Sequence, residues 1–338
     1  MTDHVLEVSN LVKEFPIKGA KRDAVHAVSG VSFHIDRGET LGLVGESGSG
    51  KTTVGRCILR LIEPTSGSIL FHGRDVSHIS QEEFTRLRPK MQMIFQDPYD
   101  SLNPRQTAAD AIGEPLVLWA KQFDQGARRR QVEGLAKTVR MTYSQLEQYP
   151  HQMSGGEQQR VGIAKSIATD PDLLVLDEPT SSLDPSAHAE IVDLLVELQR
   201  TRGFSYLFIS HDLMTIRHIS HRVAIMYLSQ IIEVGTTKQV FEEPQHPYSR
   251  SLLSAVLYPD PSITRPKTFR LSGEIPSPIH LPPGCYLASR CPMVIPECKA
   301  TEQHLVDLGA GHQVACSRAT RLDALGPYAY ADSLRLGT

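Results

Sequence analysis

The chain has 338 residues and a formal net charge of −3, enough length to bury a full core as one large domain plus a small one. That charge excludes an overall basic field of the kind that recruits nucleic acid or anionic lipid. Met1 to Glu7 lack the basic and apolar regions of a signal peptide, and no run approaches the ~18 apolar residues of a membrane span, so a cytoplasmic chain is expected.

Residues 5–15 and 25–36 are rich in β-branched and aromatic side chains with partial alternation, which predicts two strands of an antiparallel layer. Phe15 closes the first strand, either as a core aromatic or as a platform for a base. The apolar run Thr40 to Val44 then reads as a buried strand ending in Gly45-Glu46-Ser47-Gly48-Ser49-Gly50-Lys51-Thr52-Thr53, a P-loop. Its glycines let successive backbone N–H groups turn inward on a polyphosphate, and a helix from Lys51 to about residue 62 adds its N-terminal partial positive charge. Lys51 can reach the β- and γ-phosphates of a nucleotide, and the Thr52 hydroxyl is suited to Mg²⁺.

A turn at residues 64–67 leads to a strand over 68–72, a helix near 80–88 and a strand over 90–95. That last strand delivers Gln96 to its carboxyl end, where open α/β sheets gather ligand-contacting groups. Residues 107–148 are helical and polar, an inserted subdomain, with Arg128-Arg129-Arg130 read as a solvated face. Ser154-Gly155-Gly156-Glu157 opens the next helix, Ser154 as N-cap and Glu157 completing a capping box. Two adjacent glycines weaken a helix start unless something must approach the backbone closely, and a phosphate is one candidate.

Leu173 to Glu178 is a continuous apolar run ending in two acids, as in a parallel strand buried on both faces. Beside a P-loop, Asp177 is the natural Mg²⁺-side carboxylate and Glu178 is placed to polarise a water; the plain alternative is a helix cap. Ser181 to Pro185 turn into a helix over 185–201, and the strand 206–210 carries His211 at its tip, like Gln96. Strands at 221–227 and 230–235 and a helix at 248–256 finish the core. Ten of the 22 prolines lie after residue 258, so residues 259–338 read as a loop-rich appendage.

Cys57 stands alone on the P-loop helix as a small hydrophobe, whereas Cys285, Cys291, Cys298 and Cys316 crowd into the appendage. In a reducing compartment these four are free thiols, zinc ligands or holders of a 4Fe-4S cluster, not disulfides.

The P-loop, Gln96, Ser154-Gly155-Gly156, Asp177-Glu178, Ser182-Leu183-Asp184 and His211 stand in the order of an ABC-type ATPase over residues 1–258. The segments 96–104, Tyr149-Pro150-His151-Gln152, His246-Pro247-Tyr248, 271–278, Pro283-Gly284-Cys285 and Arg290-Cys291-Pro292 narrow this. With them the chain resembles the ATP-binding subunits of dipeptide/oligopeptide importers, most closely the F-type subunit of the heterodimeric pair, over nearly its whole length. The resemblance implies an α/β P-loop ATPase fold with an antiparallel β layer, a mainly parallel core sheet, an inserted helical subdomain at about 97–168, and a small C-terminal cysteine domain at 259–338.

It also implies a head-to-tail dimer of homologous cassettes. ATP would sit between Gly45 to Thr53 of one chain and the Ser154 to Glu157 signature of the other, with Phe15 stacking on the base. Thr52, Gln96 and Asp177 would attend Mg²⁺, Glu178 would be the general base, His211 the γ-phosphate switch and Asp184 an interface contact. Two membrane permease subunits would dock their coupling helices on the segment Tyr99 to Pro104 and the helical subdomain, which puts this chain peripherally at the cytoplasmic face of the inner membrane, and an extracytoplasmic solute-binding protein would act indirectly. The four-cysteine tail would hold a 4Fe-4S cluster, with Zn²⁺ as the alternative. Two departures are visible: Glu157 where the family usually has Gln, and Val139-Arg140-Met141 where it usually has Val-Gly-Leu.

Competing functions are the same motor for another solute such as nickel or an opine, a soluble ABC ATPase acting on DNA or ribosomes, and a metal sensor that retains an ATPase fold. Lys51 and Asp177 stand 126 positions apart, and the stretch between them carries no sustained heptads, which argues against the coiled-coil inserts of DNA-acting relatives. The complete set of catalytic residue types argues against a bare sensor.

Overall fold

The computed structural model describes residues 4–17, 19, 23–97, 102–120, 124–255 and 270–319. Strands β1 (His4–Pro16) and β2 (Ala24–Asp36) pair antiparallel, and β4 (Ser66–Phe71) with β5 (Arg74–Asp75) completes a four-stranded layer. The main sheet has the order β11 (Val306–Asp307), β12 (Gln313–Val314), β10 (Gln230–Thr236), β9 (Arg222–Tyr227), β3 (Thr40–Val44), β8 (Ser205–Ile209), β7 (Leu173–Asp177), β6 (Met91–Ile94). Its centre is parallel: β9, β3, β8, β7 and β6 run side by side.

The central strands are mostly apolar because both faces are covered. Along β7, Leu174 and Leu176 enter one core while Leu173 and Val175 enter the other. The first core is shared with the helical elements, the second with the antiparallel layer and α1 (Lys51–Ile58). Burial of each such Leu or Val contributes roughly 1.5–3 kcal/mol relative to exposure, so the carboxyl ends of β3, β6, β7 and β8 are held in a firm row.

Helix α1 ends at Ile58, four residues short of the expected limit. Leu59 caps it, and Arg60 takes the left-handed region at φ 46°, its guanidinium donating to the carbonyls of Val76 and Ile79. Helix α2 (Gln81–Leu87) carries a Ser80–Glu83 capping box. The inserted helical region contains α3 (Ala108–Trp119), α4 (Gln125–Thr138) and α5 (Tyr143–Leu146), closed by α6 (Gly155–Ile167). Arg140, at the position of the family's glycine, adopts φ 61° and ion-pairs with Glu197 at 2.5 Å, so a bulky residue occupies a backbone state suited to glycine. Helices α7 (Pro185–Arg202), α8 (Leu213–Ile219), α9 (Thr237–Glu242) and α10 (Pro247–Ser254) follow the remaining core strands.

The boundary expected at residues 258 and 259 lies outside the described residues. Over the described residues 270–319 the chain is loop-rich, with one short helix, α11 (Pro296–Ala300). It is also built into the main sheet: β12 (Gln313–Val314) pairs antiparallel with β10 (Gln230–Thr236), and β11 (Val306–Asp307) pairs with β12. The sequence hid this because two-residue strands carry no periodicity.

Candidate nucleotide site

The chain leaves β3 into the P-loop through two close backbone passages. A Cβ on Gly45 would stand 2.1 Å from the Met226 carbonyl oxygen, and one on Gly50 would stand 2.0 Å from that of Ala27, with Gly50 at φ 103° as the N-cap of α1. The loop is thus wedged between β2 and β9, where only glycine fits. Lys51 is buried, its ammonium donating to the carbonyls of Gly45 at 2.8 Å and Glu46 at 2.9 Å. Burial lowers its pKa, opposed by the carboxylates of Glu178, Asp177 and Glu46.

At the first turn of α1 the Thr52 hydroxyl donates to Asp177 Oδ1 at 2.8 Å. Asp177 ends β7, is buried, and has its pKa raised chiefly by desolvation, with the Thr52 hydrogen bond pulling the other way. The next residue, Glu178, sits in the left-handed region at φ 48°, a strained state for a non-glycine residue, and its N–H donates to the Ile209 carbonyl at 2.9 Å. That turn swings the carboxylate out of the strand. Gln96, just past β6, donates through Nε2 to Glu178 Oε2 at 3.3 Å, and His211, just past β8, brings Nδ1 to 3.2 Å from the same oxygen.

P-loop residues, Gln96, Glu178 and His211 line one cleft of about 490 Å³ together with Val25, His26, Ala27 and Pro278. Phe15 is exposed and pairs in register with Val25, with the Lys13 ammonium 4.9 Å from its ring centroid.

Ser154 to Glu157 and Asp184 are not among the residues lining this cleft. Ser154 and Glu157 form the expected capping box on α6, and Asp184 caps α7, accepting from the N–H groups of Ser186 and Ala187. The paired glycines let α6 start against α7: a Cβ on Gly155 would meet Leu183 at 3.2 Å and one on Gly156 would meet Ala187 at 3.1 Å. Close helix packing is therefore one reason for those glycines that the sequence alone did not offer. The Glu157 carboxylate accepts from Ser154 N at 2.7 Å, Ser154 Oγ at 2.8 Å and Gln145 Nε2 at 2.6 Å, contacts that lower its pKa and absorb its charge.

Sequence reasoning missed several residues. Arg56 borders the adjoining cleft beside Asp177 and lies one helical turn after Thr52, so i, i+4 spacing could have found it. Tyr248 and Arg290 reach the P-loop, and Pro278 reaches His26, from far along the chain; their segments are readable as family motifs but give no sign of these contacts. Tyr248 Oη accepts from the Glu46 N–H at 3.1 Å, and Arg290 Nη1 lies 3.7 Å from Glu46 Oε2.

Cys285, Cys291, Cys298 and Cys316 converge on one small hollow beside His246 and Arg318. Burial raises the thiol pKa of Cys285, Cys291 and Cys316, the last to about 12, and the other cysteines add to the shift in each. Among the described residues, the one trio whose ligand atoms all lie within 4.8 Å of each other is His4, His34 and Asp36, not a set of these sulfurs. Cys57 is buried and its thiol is pushed up to about 11 by desolvation, as befits an inert core residue.

A P-loop at the head of a central parallel strand, facing a buried Asp, a Glu, a Gln and a His on three neighbouring strand ends, defines an ATPase of the ABC class. The family described as "ABC transporter" matches residues 28–181, and that described as "Oligopeptide/dipeptide transporter, C-terminal region" matches residues 232–298. The oligopeptide transport ATP-binding protein OppF of Escherichia coli is 41% identical over 94% of this chain and 97% of its own. Two solved structures share the fold. The dimeric post-hydrolysis state of the ATP-binding cassette MJ0796, bound to ADP and Pi, has TM-score 0.63 and 26% identity over 69% of this chain and 98% of that one. CbiO1 from Clostridium perfringens, part of the ABC transporter complex cbiONQ, has TM-score 0.64 and 28% identity over 74% and 95%. The chain belongs to the ATP-binding proteins of ABC-type oligopeptide transporters. No helix among the described residues is long and apolar enough to cross a membrane.

Proposed function

We propose that this chain binds and hydrolyses ATP to power import of di- or oligopeptides, working peripherally at the cytoplasmic face of the inner membrane. The observation that carries the reading is the meeting of Gln96 and His211 on one oxygen of Glu178, in a cleft the P-loop also lines. In this reading the backbone N–H groups of Gly45 to Thr53, with Glu46, Ser47, Gly48, Ser49 and Gly50 between, receive the phosphates, and Lys51 turns its ammonium from carbonyls to phosphate oxygens. Phe15 stacks on the base.

The hard oxygen donors of Thr52, Asp177 and Gln96 suit Mg²⁺, which supplies charge neutralisation for the polyphosphate. Glu178 accepts the proton of the attacking water as its oxygen bonds to the γ-phosphorus, while the β–γ bridging oxygen leaves with its electron pair on ADP. His211 donates to the γ-phosphate, and Gln96 orients the water and reports that the γ-phosphate is present.

Ser154, Gly155, Gly156, Glu157 and Asp184 act on the nucleotide of a homologous partner cassette, a role supported by their position outside this chain's own cleft. Two permease subunits take the helical subdomain, and a solute-binding protein delivers cargo to them. A groove of about 780 Å³ between α3, α4 and α5 supports that docking, edged by Val117, Leu118 and Tyr143, which are 53%, 56% and 74% exposed. The part of the docking segment at residues 99–101 lies outside the described residues. Residues 1–258 form the ATPase domain, about 97–168 its helical subdomain, and 259–338 the extension.

The four cysteines suit a 4Fe-4S cluster better than zinc. Tetrahedral zinc draws its sulfurs to about 3.8 Å apart, given Zn–S bonds of about 2.3 Å. These thiols converge on one hollow with no three of them that close, and cluster ligation takes four thiolates with wider spacing. The cluster would staple a segment poor in regular structure.

Glu178→Gln tests the motor. In the assembled transporter it should retain ATP binding and lose hydrolysis by a factor of about 100 or more; hydrolysis at the parental rate would remove Glu178 from the mechanism.

A further inference from the structure

We propose that the C-terminal segment is part of the ATP site itself: Pro278 walls the nucleoside end of the cleft, and Arg290 positions the P-loop through Glu46. The proposal rests on the reading that ATP occupies this cleft.

Lys51 and Thr52 of the P-loop line the cleft with Val25, His26, Ala27 and Pro278, and Val25 is the register partner of Phe15, the proposed base platform. Pro278 is held there by its carbonyl, which accepts from the His26 N–H at 2.9 Å, so an extended strand edge of the antiparallel layer anchors the extension. A proline ring beside Val25, one register partner from Phe15, adds an apolar surface suited to a nucleoside and useless to a bare polyphosphate.

Arg290 works on the P-loop through Glu46. Its guanidinium lies over the Tyr227 ring, 5.8 Å from the centroid, with Nη1 3.4 Å from Tyr227 Oη and 3.7 Å from Glu46 Oε2. Its side chain is only 12% exposed. Glu46 Oε2 is inaccessible to solvent and makes no hydrogen bond, so the Arg290 charge is what offsets the burial of that carboxylate oxygen. The Glu46 backbone is gripped by Tyr248 Oη on its N–H and by the Lys51 ammonium on its carbonyl. Movement of Glu46 therefore reaches the phosphate-binding lysine within one residue's contacts. Arg290 immediately precedes Cys291, so the fold of the cysteine segment fixes where the guanidinium stands.

The two contacts make separable predictions. In the full-length chain, equilibrium titration with a fluorescent ATP analogue, competed by ATP and by inorganic tripolyphosphate, reads each end of the cleft. Arg290→Met, which keeps an apolar stem on Tyr227, should weaken ATP and tripolyphosphate alike by about tenfold, and Arg290→Lys should restore most of the loss. Pro278→Gly should weaken ATP about threefold and leave tripolyphosphate unchanged, a selectivity that general destabilisation would not produce. Glu46→Gln removes the Arg290 pairing from the other side and should match Arg290→Met, which keeps the test open if the latter misfolds. Parental ATP affinity in both Arg290→Met and Glu46→Gln would overturn the role of Arg290, and an unchanged ATP-to-tripolyphosphate ratio in Pro278→Gly would overturn that of Pro278. A parental chain that binds no ATP would instead overturn the proposed function.

Discussion

His211 Nδ1 lies 3.2 Å from Glu178 Oε2, bridging the carboxyl ends of the adjacent parallel strands β8 and β7. Two residues separated by 32 others are thus brought into contact by the pairing of β7 with β8 and by the turn at Glu178. Because His211 is largely exposed and Glu178 is not, the imidazole is free to turn toward a γ-phosphate while the carboxylate stays fixed. In the proposed role of His211 at the γ-phosphate, His211→Ala should lower hydrolysis by a factor of about 100 and leave ATP affinity within about twofold. Phosphate release and nucleotide titration on the assembled transporter check it; equal losses in affinity and rate would place His211 in ground-state binding instead.

The wedging of the P-loop between two backbone carbonyls predicts a sharp contrast between glycines. Gly50→Ala would drive a Cβ against the Ala27 carbonyl in a backbone state that disfavours side chains. It should cost about 2 kcal/mol or more and abolish nucleotide binding. Gly134→Ala, in the middle of α4 with open space around it, should gain about 0.5–1 kcal/mol. Thermal melts of the two variants should move in opposite directions, and a Gly50→Ala melt equal to the parental one would refute the wedge.

His246 caps α10 by accepting from the Tyr248 N–H at 3.1 Å, and its complete burial lowers its pKa to about 3. The unfolded imidazole titrates near 6.5, so the folded value is depressed. Its neutral form is what the fold accepts, and stability from this source is present above pH 6.5 and lost as pH falls toward 3. Between pH 6.5 and 5 the loss should be about 2 kcal/mol, at roughly 1.4 kcal/mol per unit. His246→Asn keeps a capping acceptor without the titration. Denaturant midpoints of the variant should change less over that interval than those of the parent; parallel curves would show that another group governs the acid limb.

The convergence of four cysteines predicts a coloured protein. Anaerobic purification should give a brown preparation absorbing broadly near about 400 nm with roughly four irons per chain. Substituting Cys298 by Ser should bleach it and make the segment after Arg270 sensitive to protease, because the staple would be gone. A colourless anaerobic preparation with one zinc, or with no metal, would refute the cluster.

Much of the site is legible in the amino-acid sequence. Gly45 to Thr53, Gln96, Asp177-Glu178 and His211 each follow a short apolar run, and a parallel strand buried on both faces writes itself as such a run with its functional residue at the carboxyl end. The capping box at Ser154 and Glu157 is equally readable, since caps are local chemistry.

What the tertiary structure alone decided is which strand ends are neighbours and what reaches them from elsewhere. The order β6, β7, β8, β3 brings Gln96, Glu178, His211 and the P-loop to one cleft, and strand order leaves no mark on a single chain's local pattern. The left-handed turn at Glu178 and the packing of Gly155 and Gly156 on α7 depend on neighbours distant in sequence. So do the contacts of Pro278 with His26 and of Arg290 with Glu46. The sequence therefore determined the fold class, the strand-tip residues and the helix caps, because periodicity, glycine spacing and capping act within a few residues. The meeting of those tips, and the return of the C-terminal segment to the P-loop, arise from packing a two-faced sheet against its coverings, where burial rather than local preference chooses the partners.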